Sequence, residues 1–247
     1  MRKIIAMLLI LTLTLPLTIE ALAISNGSEN KKGEELEKIV FIHYKRGHAK
    51  QIEAAKQERC YKFLTPTKVK WKKLPVSYVI NPNNPLQTEL DANLFLSAVN
   101  SAAEEWDMHT SVEILEDSQN IDYSAVAGVQ DYKNVVAFGD YAEEGVIALT
   151  TVWYNPSTKS IVEFDIMFDI DWTWGNADLN NDGIADQQVM DIQNIATHEF
   201  GHAIGLGDVY SSACSEVTMY GYSDYGEVKK RTLEKPDITG LQSLYGP

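Results

Sequence analysis

At 247 residues, 45% of them hydrophobic and 23% charged, the chain has the length for one domain of moderate size plus an extension and the composition of a folded protein. Its net charge of -14 is unevenly carried: residues 24–59 hold 8 Lys/Arg against 6 Asp/Glu, whereas residues 60–247 hold 11 against 28. So acidic a body argues against nucleic acid or an anionic membrane as a partner, and leaves either a solvated surface or carboxylates that hold calcium and dock a basic leader.

The first 23 residues have basic Arg2 and Lys3, an apolar run from Ile4 to about Leu17 and a small-residue cleavage site at Ala21-Leu22-Ala23. This is the pattern of a secretory signal peptide, and Pro16 and the shortness of the run speak against a membrane-spanning helix, which needs about 20 residues. The mature chain is therefore expected to be secreted, free of the membrane and monomeric. Residues 24–59 read as a mobile polar stretch followed by a weak Lys/Glu-rich helix, a propeptide or N-terminal extension, with the folded body at 60–247.

From Leu74 the segment LPVSYVINP alternates as a strand does and leaves into a turn. TELDANLFLSAVNSAAEEWD then places Leu90, Leu94, Ala98 and Ala102 at helical spacing, with Thr88 as the expected N-cap. SVEILED, VVAFGD, GVIALTTVWYN and SIVEFDIMFD are short apolar or alternating runs that read as strands. With a metal-site helix and a C-terminal helix to follow, the elements predict a single α+β (mixed α/β) domain.

DLNNDGIAD sets Asp178, Asn180, Asp182 and Asp186 at alternating positions around Gly183, like the start of an EF-hand loop, though Val189 stands where the bidentate Glu belongs. A partial calcium cage completed by the Ile184 carbonyl and Asp191 competes with a plain Asn/Asp/Gly turn that feeds negative charge to a helix start. Next comes HEFGHAIGLGD. On a helix, His198 and His202 share a face and can both aim a ring nitrogen at one zinc ion, while Glu199 sits beside them, placed to act as general base on a zinc-bound water. Gly205 falls where the helix must stop, and Asp208 stands at the third-ligand position, ten residues after His198.

These residues, with Met219 in SEVTMYGY and the closing ITGLQSLYG, resemble the metzincin zinc metallopeptidases, most closely their matrixin-like branch, over Cys60 to Pro247. The resemblance implies a twisted, mostly parallel five-stranded sheet, a long helix, an active-site helix and a C-terminal helix. It also implies zinc on His198, His202 and Asp208, a Met turn at Met219 beneath the metal, and a protein or peptide substrate bound extended along an edge strand. Matrixins carry His where this chain has Asp208, and snapalysin-type metzincins carry Asp. The activity so implied is that of a secreted zinc endopeptidase with Glu199 as base.

Tyr220 or Tyr222 is placed to hydrogen-bond a developing oxyanion, or to pack beneath the cleft. Cys60 and Cys214, a lone pair in an exported chain, are expected to form a disulfide; a Cys60 thiolate on the metal is the competing role, although the family's Pro-Arg-Cys-Gly latency context is absent. Two other functions remain open: a different zinc hydrolase with Glu227 as third ligand, and a non-catalytic calcium- or partner-binding module.

Overall fold

Apolar periodicity and turn residues account for most elements of the computed structural model, which describes residues 35–48, 59–116, 120–179 and 186–247. In chain order these are β1 (Glu37–Lys45), β2 (Lys62–Phe63), β3 (Val79–Asn81), α1 (Ala92–Asp107), β4 (Val135–Gly139), β5 (Val146–Asn155) and β6 (Ser160–Asp169). They continue with β7 (Trp174–Gly175), β8 (Met190–Asp191), α2 (Ile192–Ala203), β9 (Leu206–Gly207), β10 (Tyr222–Ser223) and α3 (Lys235–Tyr245). One six-stranded mixed sheet has the order β10-β1-β5-β6-β4-β3, and the pairs β2-β9 and β7-β8 stand apart from it.

Strand β1 overturns the expected weak helix within residues 24–59, and β1 and β10 join the four expected strands β3, β4, β5 and β6 to make six. Its run Ile39-Val40-Phe41-Ile42-His43-Tyr44 is β-branched or aromatic at every position but one, which favours a pleated, half-buried surface over a helix. It pairs antiparallel with β5 from Glu37↔Tyr154 to Tyr44↔Val146, and parallel with β10 at Tyr44↔Tyr222 and Lys45↔Ser223. β5 thereby has a strand on each edge, and all ten of its residues are buried. β5 and β6 form a hairpin whose turn is held by Asn155 Oδ1 accepting from the Ser157 and Thr158 amides. β6, β4 and β3 are mutually parallel.

Helix α1 is capped by Asp91, not Thr88, its carboxylate accepting from the Asn93 amide. Its buried face runs through Phe95, Val99, Ala102, Ala103 and Trp106, so Leu94 and Ala98 of the predicted stripe sit at its margin. Among the described residues of SVEILED only Leu115 makes a bridge, to Val76, and they form no strand. The core lies between the sheet and the two long helices, where Phe164 of β6 meets Tyr78 and Phe200 with ring centroids 6.2 and 6.0 Å apart. Trp106 Nε1 donates to the Thr197 carbonyl at 2.8 Å and ties α1 to α2 beside the site.

Cys60 and Cys214 are joined in a disulfide, with Cα atoms 5.3 Å apart. It fastens the start of the body to the loop that follows Asp208 and leaves no free thiol among the described residues, so Cys60 is not a metal ligand.

Candidate metal centre

Helix α2 is buried on almost every side, which is what its sequence needs: Ile192, Ile195, Ala196, Phe200 and Ala203 pack around it while His198, Glu199 and His202 are shielded from water. It starts at Asp191, whose carboxylate accepts from the Asn194 and Ala177 amides and is gripped by the Arg231 guanidinium. Gly201 lets two neighbours close on the helix, since a Cβ there would lie 2.1 Å from Met219 Sδ and 2.9 Å from the Trp106 ring. Gly205 ends it at φ +114°, with the Val69 carbonyl 2.7 Å from where a Cβ would be, and the chain then delivers Asp208.

Three atoms converge there. His198 Nε2 and His202 Nε2 are 3.2 Å apart, and Asp208 Oδ1 is 3.2 and 3.4 Å from them. His198 Nδ1 faces the Thr218 carbonyl at 2.8 Å and His202 Nδ1 the Leu206 carbonyl at 3.0 Å. Carbonyls only accept, so the protons sit on Nδ1 and each Nε2 turns a lone pair inward. Oδ1 of Asp208 accordingly receives no hydrogen bond, even though two ring nitrogens are near it. Three lone pairs packed this closely repel unless a cation lies among them. Bonds of 2.0–2.2 Å at tetrahedral angles put ligand atoms about 3.3 Å apart, so the donor set fits zinc in both chemistry and spacing.

The titrations agree in sense. Burial acts to raise the Asp208 carboxyl, but His202 and His198 outweigh it and hold it well below the carboxylate range. Burial takes His198 down to about 4 and so keeps it a neutral ligand, whereas for His202 the same burial is outweighed by Asp208, and it rises. The trio as built calls for one positive charge at its centre. Tyr210, which the sequence reading did not single out, donates its hydroxyl to Asp208 Oδ2 at 3.0 Å. Its neighbours Tyr222 and Tyr220 line the adjoining wall, and no hydroxyl bond from either reaches the trio.

Glu199 stands beside the trio with both oxygens taken. Oε2 accepts from Thr150 Oγ1 of β5 at 2.6 Å, and Oε1 faces His43 Nδ1 of β1 at 3.1 Å. Burial raises its carboxyl to about 7, against the lowering effects of His202 and Thr150. His43 is held neutral by burial and by the neighbouring His198 and Lys230, so its contact with Glu199 is a hydrogen bond rather than an ion pair. His43 lies 3.9 Å from the His198 ring, centroid to centroid, and Phe41 stacks on His202 at 4.0 Å and 8°. His43 Nε2 in turn accepts from Lys230 Nζ at 3.0 Å. None of His43, Phe41, Thr150 and Lys230 was foreseen; the β-rich run around His43 was the one signal for any of them.

Beneath the centre, Met219 is fully buried, and the amides of Thr218 and Met219 donate to Asp237 Oδ2 and Oδ1 in the first turn of α3 at 2.9 and 3.2 Å. Glu227, the alternative third ligand, is bound to Ser223 Oγ at 2.8 Å and Arg46 at 3.2 Å and does not join the trio. Of the calcium candidates, Asn180, Asp182 and Ile184 lie outside the described residues. Asp178 and Asp186 flank them, and the Asp186 amide donates to the Ala177 carbonyl at 2.6 Å. Asp191 has both oxygens engaged by Arg231 and backbone amides.

Comparison with known proteins gives one consistent picture. A sequence profile of the family described as Matrixin matches residues 70–246. Human neutrophil collagenase is 26% identical over 184 residues, covering 74% of this chain and 35% of that protein. The metalloendoproteinase 5-MMP of Arabidopsis thaliana is 35% identical over 78 residues, 32% of this chain and 21% of that protein. The hatching enzyme of Paracentrotus lividus is 27% identical over 174 residues, covering 70% of this chain and 25% of that protein. The chain thus spans about a third or less of the length of these relatives.

Proposed function

The chain belongs to the matrixin family, whose domain is that of a zinc-dependent endopeptidase, and from that membership we propose that this protein is itself a secreted endopeptidase working through His198, His202, Asp208 and Glu199. The observation that carries the reading is the convergence of three lone-pair atoms within 3.4 Å, directly beside a buried carboxylate. Zinc held by the trio would supply Lewis acidity, polarising the scissile carbonyl and making water a nucleophile near neutral pH. Glu199 takes the proton from the attacking water and returns it to the leaving amine, and its carboxyl, raised to about 7, is suited to both transfers. Thr150 fixes which oxygen faces the water. Tyr210 holds Asp208 in place as a ligand, and Asp237 fixes the Met turn below. Tyr220 and Tyr222 remain candidates for a hydrogen bond to the developing oxyanion.

The substrate is an extended peptide lying between β5 and β10, the groove that β1 fills. Residues 24–59 act as a propeptide: β1 covers the trio with Phe41 and His43 and occupies Glu199, so the chain is latent until that segment is cut or displaced. The leader at 1–23 directs export, and the loop from Asp178 to Asp186 holds calcium. A calcium-dependent rise in melting temperature of the zinc-loaded protein checks the last point, and no rise removes it.

The function is tested by cutting the chain specifically within residues 49–58 and incubating it with denatured proteins, with and without a zinc chelator. Hydrolysis that appears on cutting and stops with chelator is expected. Hydrolysis that ignores the chelator, or none in any form of the chain, overturns the reading.

A further inference from the structure

Strand β1 is clamped on both edges, antiparallel to β5 and parallel to β10, and alternation turns Phe41 and His43 to the same side, onto α2. The His43 ring lies against His198 of α2 on one side and meets Lys230 Nζ on another. Lys230 is fully buried, and an ammonium has three protons to place. Two go to the wall, to the carbonyls of Tyr220 at 2.6 Å and Tyr222 at 2.9 Å. The third goes to His43 Nε2 at 3.0 Å. A lysine ammonium cannot accept, so Nε2 is the acceptor and Nδ1–H points to Glu199. The two ring nitrogens therefore do different things: Nε2 satisfies Lys230, and Nδ1–H takes up the base.

We propose that Lys230 is a specificity-determining residue of the substrate groove, selecting an extended peptide whose pocket side chain carries a hydrogen-bond acceptor, as imidazole and carboxamide do, over one that is purely apolar. The proposal rests on the endopeptidase reading only in calling the occupant a substrate; the recognition itself is the one β1 displays. An apolar occupant of the same size leaves the third proton of Lys230 with no hydrogen bond, because the two wall carbonyls already hold the others and Glu227 Oε1, its ion-pair partner, is 3.8 Å away, beyond hydrogen-bond reach. The loss for one such donor is on the order of 10- to 100-fold in occupancy. A carboxylate satisfies Lys230 but meets Glu199 across the pocket, so a neutral acceptor is favoured over Asp or Glu.

The test uses the full chain and needs no turnover. Amide hydrogen exchange across residues 38–45 reports how often β1 leaves the groove. In His43→Gln the exchange is expected within a few fold of the unaltered chain, and in His43→Met about 10- to 100-fold faster. In a Lys230→Met background the difference between Gln and Met at position 43 should shrink to what the Glu199 contact alone supplies, since the Lys230 donor is gone. Should Lys230→Met melt below the working temperature, the Gln and Met chains alone decide. Equal exchange in His43→Gln and His43→Met, or a difference that Lys230→Met leaves undiminished, overturns the proposal. A peptide library digested by the cut chain then tests the substrate: acceptor side chains should be enriched at one position, and cleavage without that enrichment overturns the proposal. Exchange that ranks as expected while no peptide is cut leaves the recognition by Lys230 standing and removes the endopeptidase reading instead.

Discussion

Thr150 and burial act on Glu199 in opposite directions. The Thr150 hydroxyl donates to Oε2 at 2.6 Å and favours the charged carboxylate, while burial pushes the group up to about 7. A base must be deprotonated to work, so activity should rise with pH through the titration of Glu199. Thr150→Val removes the bond to the charged form and should move that acid limb to higher pH; a limb that stays in place, or moves down, means that Thr150 does not tune the base. Asp208→Ala removes one ligand and the acceptor of Tyr210, so zinc retained through dialysis should fall well below one ion per chain. Undiminished zinc would place the third ligand elsewhere. At this scale, His198, Glu199, His202, Gly205 and Asp208 were legible because helical spacing and one turn bring them together locally. Thr150, His43, Lys230 and Tyr210 were not, since separations of 49, 156 and 187 residues bridge the contacts of the first three, and only strand pairing closes such distances.

Helix α2 carries the site, and its neighbours touch it so closely that packing and chemistry share residues. Gly201 faces Met219 and Trp106 at distances no Cβ can occupy, so Gly201→Ala should destabilise the fold by about 1–3 kcal/mol or more through overpacking and should also weaken zinc retention. Thermal melting together with zinc content checks both, and an unchanged melting temperature would contradict the close packing. α3 reaches the site through Asp237, which receives the amides of Thr218, Met219 and Glu234. The helix itself could be read from ITGLQSLYG, but not its grip on the Met turn, because an Asp in a helix's first turn is the ordinary signature of a cap. The same ambiguity misplaced the start of α1: Thr88 and Asp91 both qualify as caps, and only the buried stripe beginning at Phe95 decides for Asp91.

For the whole molecule, the decisive feature is that the sheet is completed from the N-terminal side. The expected α+β domain and its helices were legible from alternating and helical periods; β1 was missed because it is flanked by Lys and Glu and its alternation is incomplete, and β10 because two residues show no period. The proposed latency rests on this topology. The disulfide Cys60–Cys214 lies on the body's side of residues 49–58, so a cut there frees β1 while leaving the loop after Asp208 fastened. The central claim concerns Glu199 beside a metal-holding trio, and the turnover of the zinc-loaded, cut chain carrying Glu199→Gln tests it most directly. A fall in kcat on the order of 10²- to 10⁴-fold with zinc retained is predicted. Turnover equal to that of the unaltered chain would contradict the account.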